Sequence, residues 1–151
     1  MNNHLLAAAI AAAHAAPCDT TTDEKATTPL LYSALKGDAA NVRCLLDEGA
    51  KVDATDTGKH TALMLAAAKG HTGILRLLLD AGAHVNAADE GSKTALGLAA
   101  FTDHTDAARL LLERGANIGA ADRIGATALS LAEKDGHAEV VKLLRAAGAK
   151  K

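Results

Sequence analysis

The chain has 151 residues, the size of one ordinary domain. Ala and Leu together fill 59 positions while Tyr32 and Phe101 are the only aromatic residues, a composition that argues for helices and against a β-sandwich or barrel. Sixteen Lys and Arg against eighteen Asp and Glu leave a net charge of −2, which gives no electrostatic footprint for nucleic acid, and no apolar run approaches the roughly 20 residues of a membrane span.

Residues 1–18 contain no Asp, Glu, Lys or Arg, and Leu5 to Ala13 is an uninterrupted apolar run followed by the small-x-small tripeptide Ala13-His14-Ala15. Two readings stand. One is a secretory leader cleaved after Ala15, which places the mature chain in the periplasm or outside the cell. The other is an Ala-rich helix that caps the domain behind it, in a cytoplasmic protein. The absence of Lys and Arg from Met1-Asn2-Asn3-His4 counts against the leader, and Pro17 before Cys18 counts against a lipoprotein anchor. Asp19 to Thr27 reads as a polar linker, so 1–26 stands apart from 27–151. Two cysteines supply neither a disulfide framework nor a four-ligand zinc site. In an exported chain a Cys18–Cys44 disulfide could pin the linker to the domain; otherwise Cys44, at the register of Leu77 and Leu110, reads as a small buried hydrophobe.

From residue 28 the chain repeats. Thr28-Pro29-Leu30, Thr61-Ala62-Leu63, Thr94-Ala95-Leu96 and Thr127-Ala128-Leu129 follow one another at intervals of 33 residues, as do Gly49, Gly82, Gly115 and Gly148, each followed by Ala. Each Thr reads as an N-cap, and Pro29 occupies a first helical position, where a missing N–H costs nothing. A short helix is predicted over Ala62–Lys69, stopped by Gly70, and a second over Thr72–Ala81 with an apolar face from Ile74 to Leu79. Gly82 supplies a left-handed stop, and Val85 to Gly91 carries turn chemistry. One such unit buries too little to stand alone, so the units must stack as a solenoid.

The stretches Thr61 to His71 and Leu77 to Ala87 resemble the ankyrin repeat, and the resemblance covers about residues 27–150. It implies an all-α solenoid of four helix-turn-helix units with β-hairpin-like loops, at 27–54, 55–87, 88–120 and 121–151. Departures carry expectations of their own. Leu31, Met64, Gly97 and Ser130 replace the family's His, so its reciprocal bond to the capping Thr should be missing in all four copies. Gly58 and Gly91 fall one residue early, so their loop tips should differ from the usual shape. Gly119 replaces the Asp or Asn of Asp53 and Asn86. Glu133 stands where Ala67 and Ala100 do, and Arg145 where Leu79 and Leu112 do, as befits an outer face. With Lys150-Lys151 behind them, the stack is expected to finish there.

No G-x-S-x-G, P-loop or H-E-x-x-H is present, so neither catalysis nor a cofactor is expected. His71, His104 and His137 share the period, but equivalent residues on stacked helices lie about 8–10 Å apart and cannot converge on one metal. They are expected to bond backbone groups at the helix–helix turn.

The resemblance implies a protein partner, held on a concave face of loop tips and first helices. Positions that vary between repeats are its candidates: Leu35, Lys36, Ala68, Lys69, Phe101, Thr102 and Lys134 at the first-helix ends, and Thr57, His60, Glu90, Lys93, Arg123 and Ile124 at the tips. Met64 is placed on the floor of the same groove. Phe101 leads, because the chain's single Phe occupies a register that Ala68 and Lys134 fill next door. The expected protein is a monomeric, non-catalytic binding module; if exported, it resembles small bacterial ankyrin proteins of the periplasm, which implies a role as an inhibitor, immunity or stress-protection partner. The alternative is a redox-linked or catalytic accessory protein using Cys18 and Cys44.

Overall fold

The computed structural model describes residues 17–22 and 28–149; the leader-or-cap segment at 1–16, residues 23–27 of the linker and the final two lysines lie outside the described residues. Among the described residues eight helices follow in order: α1 Pro29–Lys36, α2 Ala39–Asp47, α3 Ala62–Lys69, α4 Thr72–Asp80, α5 Ala95–Phe101, α6 Thr105–Glu113, α7 Ala128–Lys134 and α8 Ala138–Ala146. They pair into four hairpin units. Each odd-numbered helix packs on the next odd-numbered one and each even-numbered helix on the next even-numbered one, giving two helical layers. Helix α3 has the expected bounds, and α4 stops one residue earlier than expected, with Ala81 as its C-cap.

The core is as periodic as the sequence. Leu30, Leu63, Leu96 and Leu129 from the first helices and Leu45, Leu78, Leu111 and Leu144 from the second are all buried. Ala66, Ala99 and Ala132 are fully buried too, and such small side chains let neighbouring helices approach closely. Each second helix ends alike: Gly49, Gly82, Gly115 and Gly148 have φ of +92 to +99°, and the following Ala N–H donates to the carbonyl of Leu45, Leu78, Leu111 or Leu144 at 2.9–3.0 Å.

The starts of the first helices follow the expectation with one correction. The hydroxyls of Thr28, Thr61, Thr94 and Thr127 accept from the N–H groups of Leu31, Met64, Gly97 and Ser130 at 3.2–3.3 Å. The reciprocal bond is not missing from every copy. In the fourth, the Thr127 N–H donates to Ser130 Oγ at 2.8 Å, closing a capping box with a hydroxyl in place of an imidazole. Leu31, Met64 and Gly97 have no polar side-chain atom with which to do the same.

The loop tips also differ from expectation. All three have one shape. Thr55–Thr61, Ala88–Thr94 and Ala121–Thr127 pair as antiparallel bridges. Inside them Asp56, Asp89 and Asp122 donate their N–H to the carbonyls of His60, Lys93 and Ala126 at 2.9–3.2 Å and accept from Lys59, Ser92 and Gly125 at 2.9–3.1 Å. The fourth repeat puts Gly125 at the left-handed position; the second and third put Lys59 (φ +63°) and Ser92 (φ +61°) there. The reason is the Asp side chain, whose Oδ1 takes two backbone N–H bonds at each tip, from Gly58 and His60, Gly91 and Lys93, or Ile124 and Ala126. Bonds to a charged acceptor contribute about 1.5–3 kcal/mol, enough to hold a side-chain-bearing residue in a conformation costing about 1–2 kcal/mol.

At the other margin of the stack, Pro17–Thr22 is held on α2. A disulfide joins Cys18 to Cys44 with the Cα atoms 5.6 Å apart. The Asp19 N–H donates to Asn41 Oδ1 at 2.8 Å, and Asn41 Nδ2 donates to the Asp19 carbonyl at 2.8 Å and to Ser33 Oγ at 2.7 Å. In the fourth repeat, Glu133 and Arg145 face each other as an ion pair, Oε1 to Nη2, at 3.6 Å.

Relief of the tip strain, less the chain entropy a glycine adds, gives an expected gain of roughly 0.5–1 kcal/mol for Lys59→Gly and for Ser92→Gly, and a loss of similar size for Gly125→Ala. Urea unfolding midpoints of the three variants check the signs.

Candidate protein-binding face

The tips form a bonded row. The Glu90 N–H donates to the Gly58 carbonyl and the Arg123 N–H to the Gly91 carbonyl, both at 3.1 Å, so each turn fixes the height of the next. His60 adds a side-chain link: Nδ1 lies 3.1 Å from Asp56 and Nε2 3.4 Å from Asp89, one tip further on. Thr57, Glu90 and Arg123 occupy equivalent, exposed positions of this row, and Lys93 is exposed beside them. Ile124 sits in the register of Gly58 and Gly91 and is 88% exposed.

The first helices supply the adjoining strip. Lys36, Lys69 and Lys134 close α1, α3 and α7, where a cation suits the negative end of the helix dipole; Lys36 lies 5.5 Å from the centre of the Tyr32 ring. Leu35 and Ala68 are half-buried, and in the same register Phe101 is 52% exposed.

Three candidates have other employment. Met64 is 1% exposed and belongs to the core, so its place on a groove floor is corrected: it lies on the helix side that meets the neighbouring repeat, where hydrophobic and of the right size is what is asked of it. The Thr102 hydroxyl donates to the Leu98 carbonyl at 2.7 Å. Both ring nitrogens of His60 are directed at the aspartates of two tips.

A row absent from the sequence-based set completes the strip. Tyr32, Leu65, Leu98 and Leu131 are equivalent residues, four after each capping Thr, and all are half-buried. Their signal in the sequence is the common 33-residue spacing, with Tyr32 standing where the other three repeats have Leu.

The periodic histidines face their neighbours. His71 Nε2 is 3.4 Å from the Leu35 carbonyl and His137 Nε2 is 3.1 Å from that of Phe101, each closing the open C-terminal end of the preceding repeat's first helix. The bonds therefore cross between repeats, outside the residue's own turn. A Cβ on Gly70 would collide with the His104 ring, which packs in the same manner. Among the described residues no cluster of three or more His, Cys, Asp or Glu could hold a metal ion, and no helix is long and apolar enough to cross a membrane.

Two rows of helices, a bonded row of turns and one unit laid on the next define an ankyrin solenoid. A family model described as ankyrin repeats in three copies matches residues 1–89 and again 86–151, and the chain belongs to that family. Ankyrin repeats are protein–protein interaction modules and in general non-catalytic. No curated protein matches the chain.

The tip row has a titratable joint. Burial alone would push the Asp56 carboxyl up, but the His60 backbone N–H, the His60 ring and the Gly58 N–H outweigh it and hold it below the usual carboxylate range. A carboxyl depressed on folding stabilises the protein above its unfolded value near 3.9 and loses that contribution as pH falls through the folded value. Asp56→Asn is expected to lower the urea midpoint by a constant amount above about pH 5, with the difference from the parent shrinking below about pH 4. Midpoints measured between pH 6 and 2.5 check this.

Proposed function

We propose that the protein binds one partner protein, as a monomer, on the face made by the loop tips and the first helices, and that it does so outside the cytoplasm as an inhibitor, immunity or stress-protection partner. Phe101 carries the reading. Covering the half of the Phe101 side chain that is still exposed gains about 0.8–1.5 kcal/mol, and a repeat scaffold that is already ordered loses little entropy on binding. Ile124 offers a second apolar contact, and the lysines that end α1, α3 and α7 add a polar margin of the kind that surrounds such anchors. The extracytoplasmic part is supported by the Cys18–Cys44 disulfide, a bond that persists in oxidising compartments, and by the apolar run ahead of Ala13-His14-Ala15.

A photo-crosslinking residue placed at Phe101 in the native cell is expected to capture one protein, whereas the same residue at Arg76 on α4 captures none. With that partner purified, Phe101→Ala is expected to weaken binding at least tenfold at an unchanged urea midpoint. Unchanged affinity, or capture from Arg76 instead, would remove the reading. Intact mass of the native protein, expected to lack residues 1–15 and two hydrogens, tests the export part separately.

A further inference from the structure

Three of the positions at which repeat one departs from its siblings meet in one place. Ser33 stands in the register of Ala66, Ala99 and Ala132, Asn41 in that of Ile74, Ala107 and Val140, and Cys44 in that of Leu77, Leu110 and Leu143. Ser33 and Asn41 are 4% and 9% exposed, so two core positions that are apolar in every other repeat carry buried polar groups here. Such groups are costly unless bonded. Asn41 bonds Ser33 and both backbone groups of Asp19, while Cys44 takes Cys18. The three departures form a seat for residues 17–22.

We propose that this strap is a redox latch on the first repeat: oxidised, it holds α1 and α2 closed; reduced, it lets that repeat open while the other three stay folded. Both cysteines are only half-buried, so a small dithiol reaches the bond. One thiolate of the reductant attacks a cysteine sulfur and forms a mixed disulfide, and its second thiol displaces the protein. Two electrons and two protons pass to Cys18 and Cys44, which become thiols, and the reductant leaves as its own disulfide. The bond closes a loop across a sequence separation of 26 residues, so its loss frees the strap by chain entropy, and the buried Asn41 amide then loses both of its bonds to the Asp19 backbone and keeps only Ser33. Because each repeat contacts only the next, and the second repeat keeps the third behind it, opening stays local to α1 and α2. This holds whatever partner the protein binds, since the readout below contains none.

Hydrogen exchange of the full chain, oxidised and then treated with dithiothreitol, tests the latch, with thiol alkylation confirming complete reduction. Reduction is expected to raise exchange over residues 28–47 at least tenfold and to leave residues 62–146 unchanged. The double variant Cys18→Ser/Cys44→Leu, which gives position 44 the residue of the other repeats, is expected to exchange like the reduced chain and to ignore the reductant. A fully reduced parent with the oxidised pattern, or a uniform rise over all four repeats, would overturn the proposal.

Discussion

Helices of seven to nine residues do not persist alone in water, where even good helix formers need about 12–15. Every helix among the described residues is that short. Their persistence depends on one constraint, the register that lays each unit on its predecessor. The register brings Leu63 and Leu96, or Leu78 and Leu111, into successive layers, and it also completes the polar accounting. A helix ends with unsatisfied carbonyls, and His71 and His137 reach across to those of the preceding repeat. The loops behave likewise: Asp53 accepts from the His84 N–H at 3.0 Å and Asn86 from the Asn117 N–H at 2.7 Å. No repeat is finished until its neighbour is present.

A structure held together by neighbours is weakest where a repeat has one. The two outer repeats meet that problem with different chemistry. Repeat four places Glu133 and Arg145 at positions that are Ala and Leu inside; Arg145 stays exposed while Glu133 is half-buried, its Oε1 shielded from water and facing only the Arg145 guanidinium at 3.6 Å. Repeat one is treated more strongly. Its Asn41 and Cys44 would be faults in an interior repeat, and they become sound because Pro17–Thr22 supplies their partners, while Ser33 is satisfied in turn by Asn41. The asymmetry is one of reversibility: an ion pair cannot be switched by a reductant, and a disulfide can.

Much of this was legible in the sequence because the physics is periodic. A capping Thr, a left-handed Gly after a second helix and a buried Leu recur for the same local reason in each copy, so four weak signals add into a firm one. Where the reading failed, a neighbour decided the outcome. Ser130 was read as the loss of a His, yet a shorter hydroxyl closes the same ring of bonds to Thr127. The tips were read from the position of glycine, yet Asp56 and Asp89 fix the turn and drag Lys59 and Ser92 into left-handed geometry. Met64 varies between repeats and so looked like a recognition residue, but variation also occurs in the core, and burial separates the two. Tyr32, Leu65, Leu98 and Leu131 were left out of the candidate set altogether, since an apolar position that is nearly the same in every copy can be framework and surface at once.

What the framework does not consume is distributed unevenly. In the register of Leu35, Ala68, Phe101 and Lys134 the large exposed apolar group falls in repeat three, and in the register of Gly58, Gly91 and Ile124 it falls in repeat four. The apolar anchors thus gather two and three repeats away from the strap. Coupling in a stack passes only through successive interfaces and is diluted at each. A change confined to α1 and α2 therefore alters the Tyr32 and Lys36 end of the face and leaves the ground under Phe101 as it was. The two ends of the proposed binding face then differ in kind, the Phe101 end untouched by the latch and the Tyr32 and Lys36 end altered by it, although both are cut from the same repeated unit.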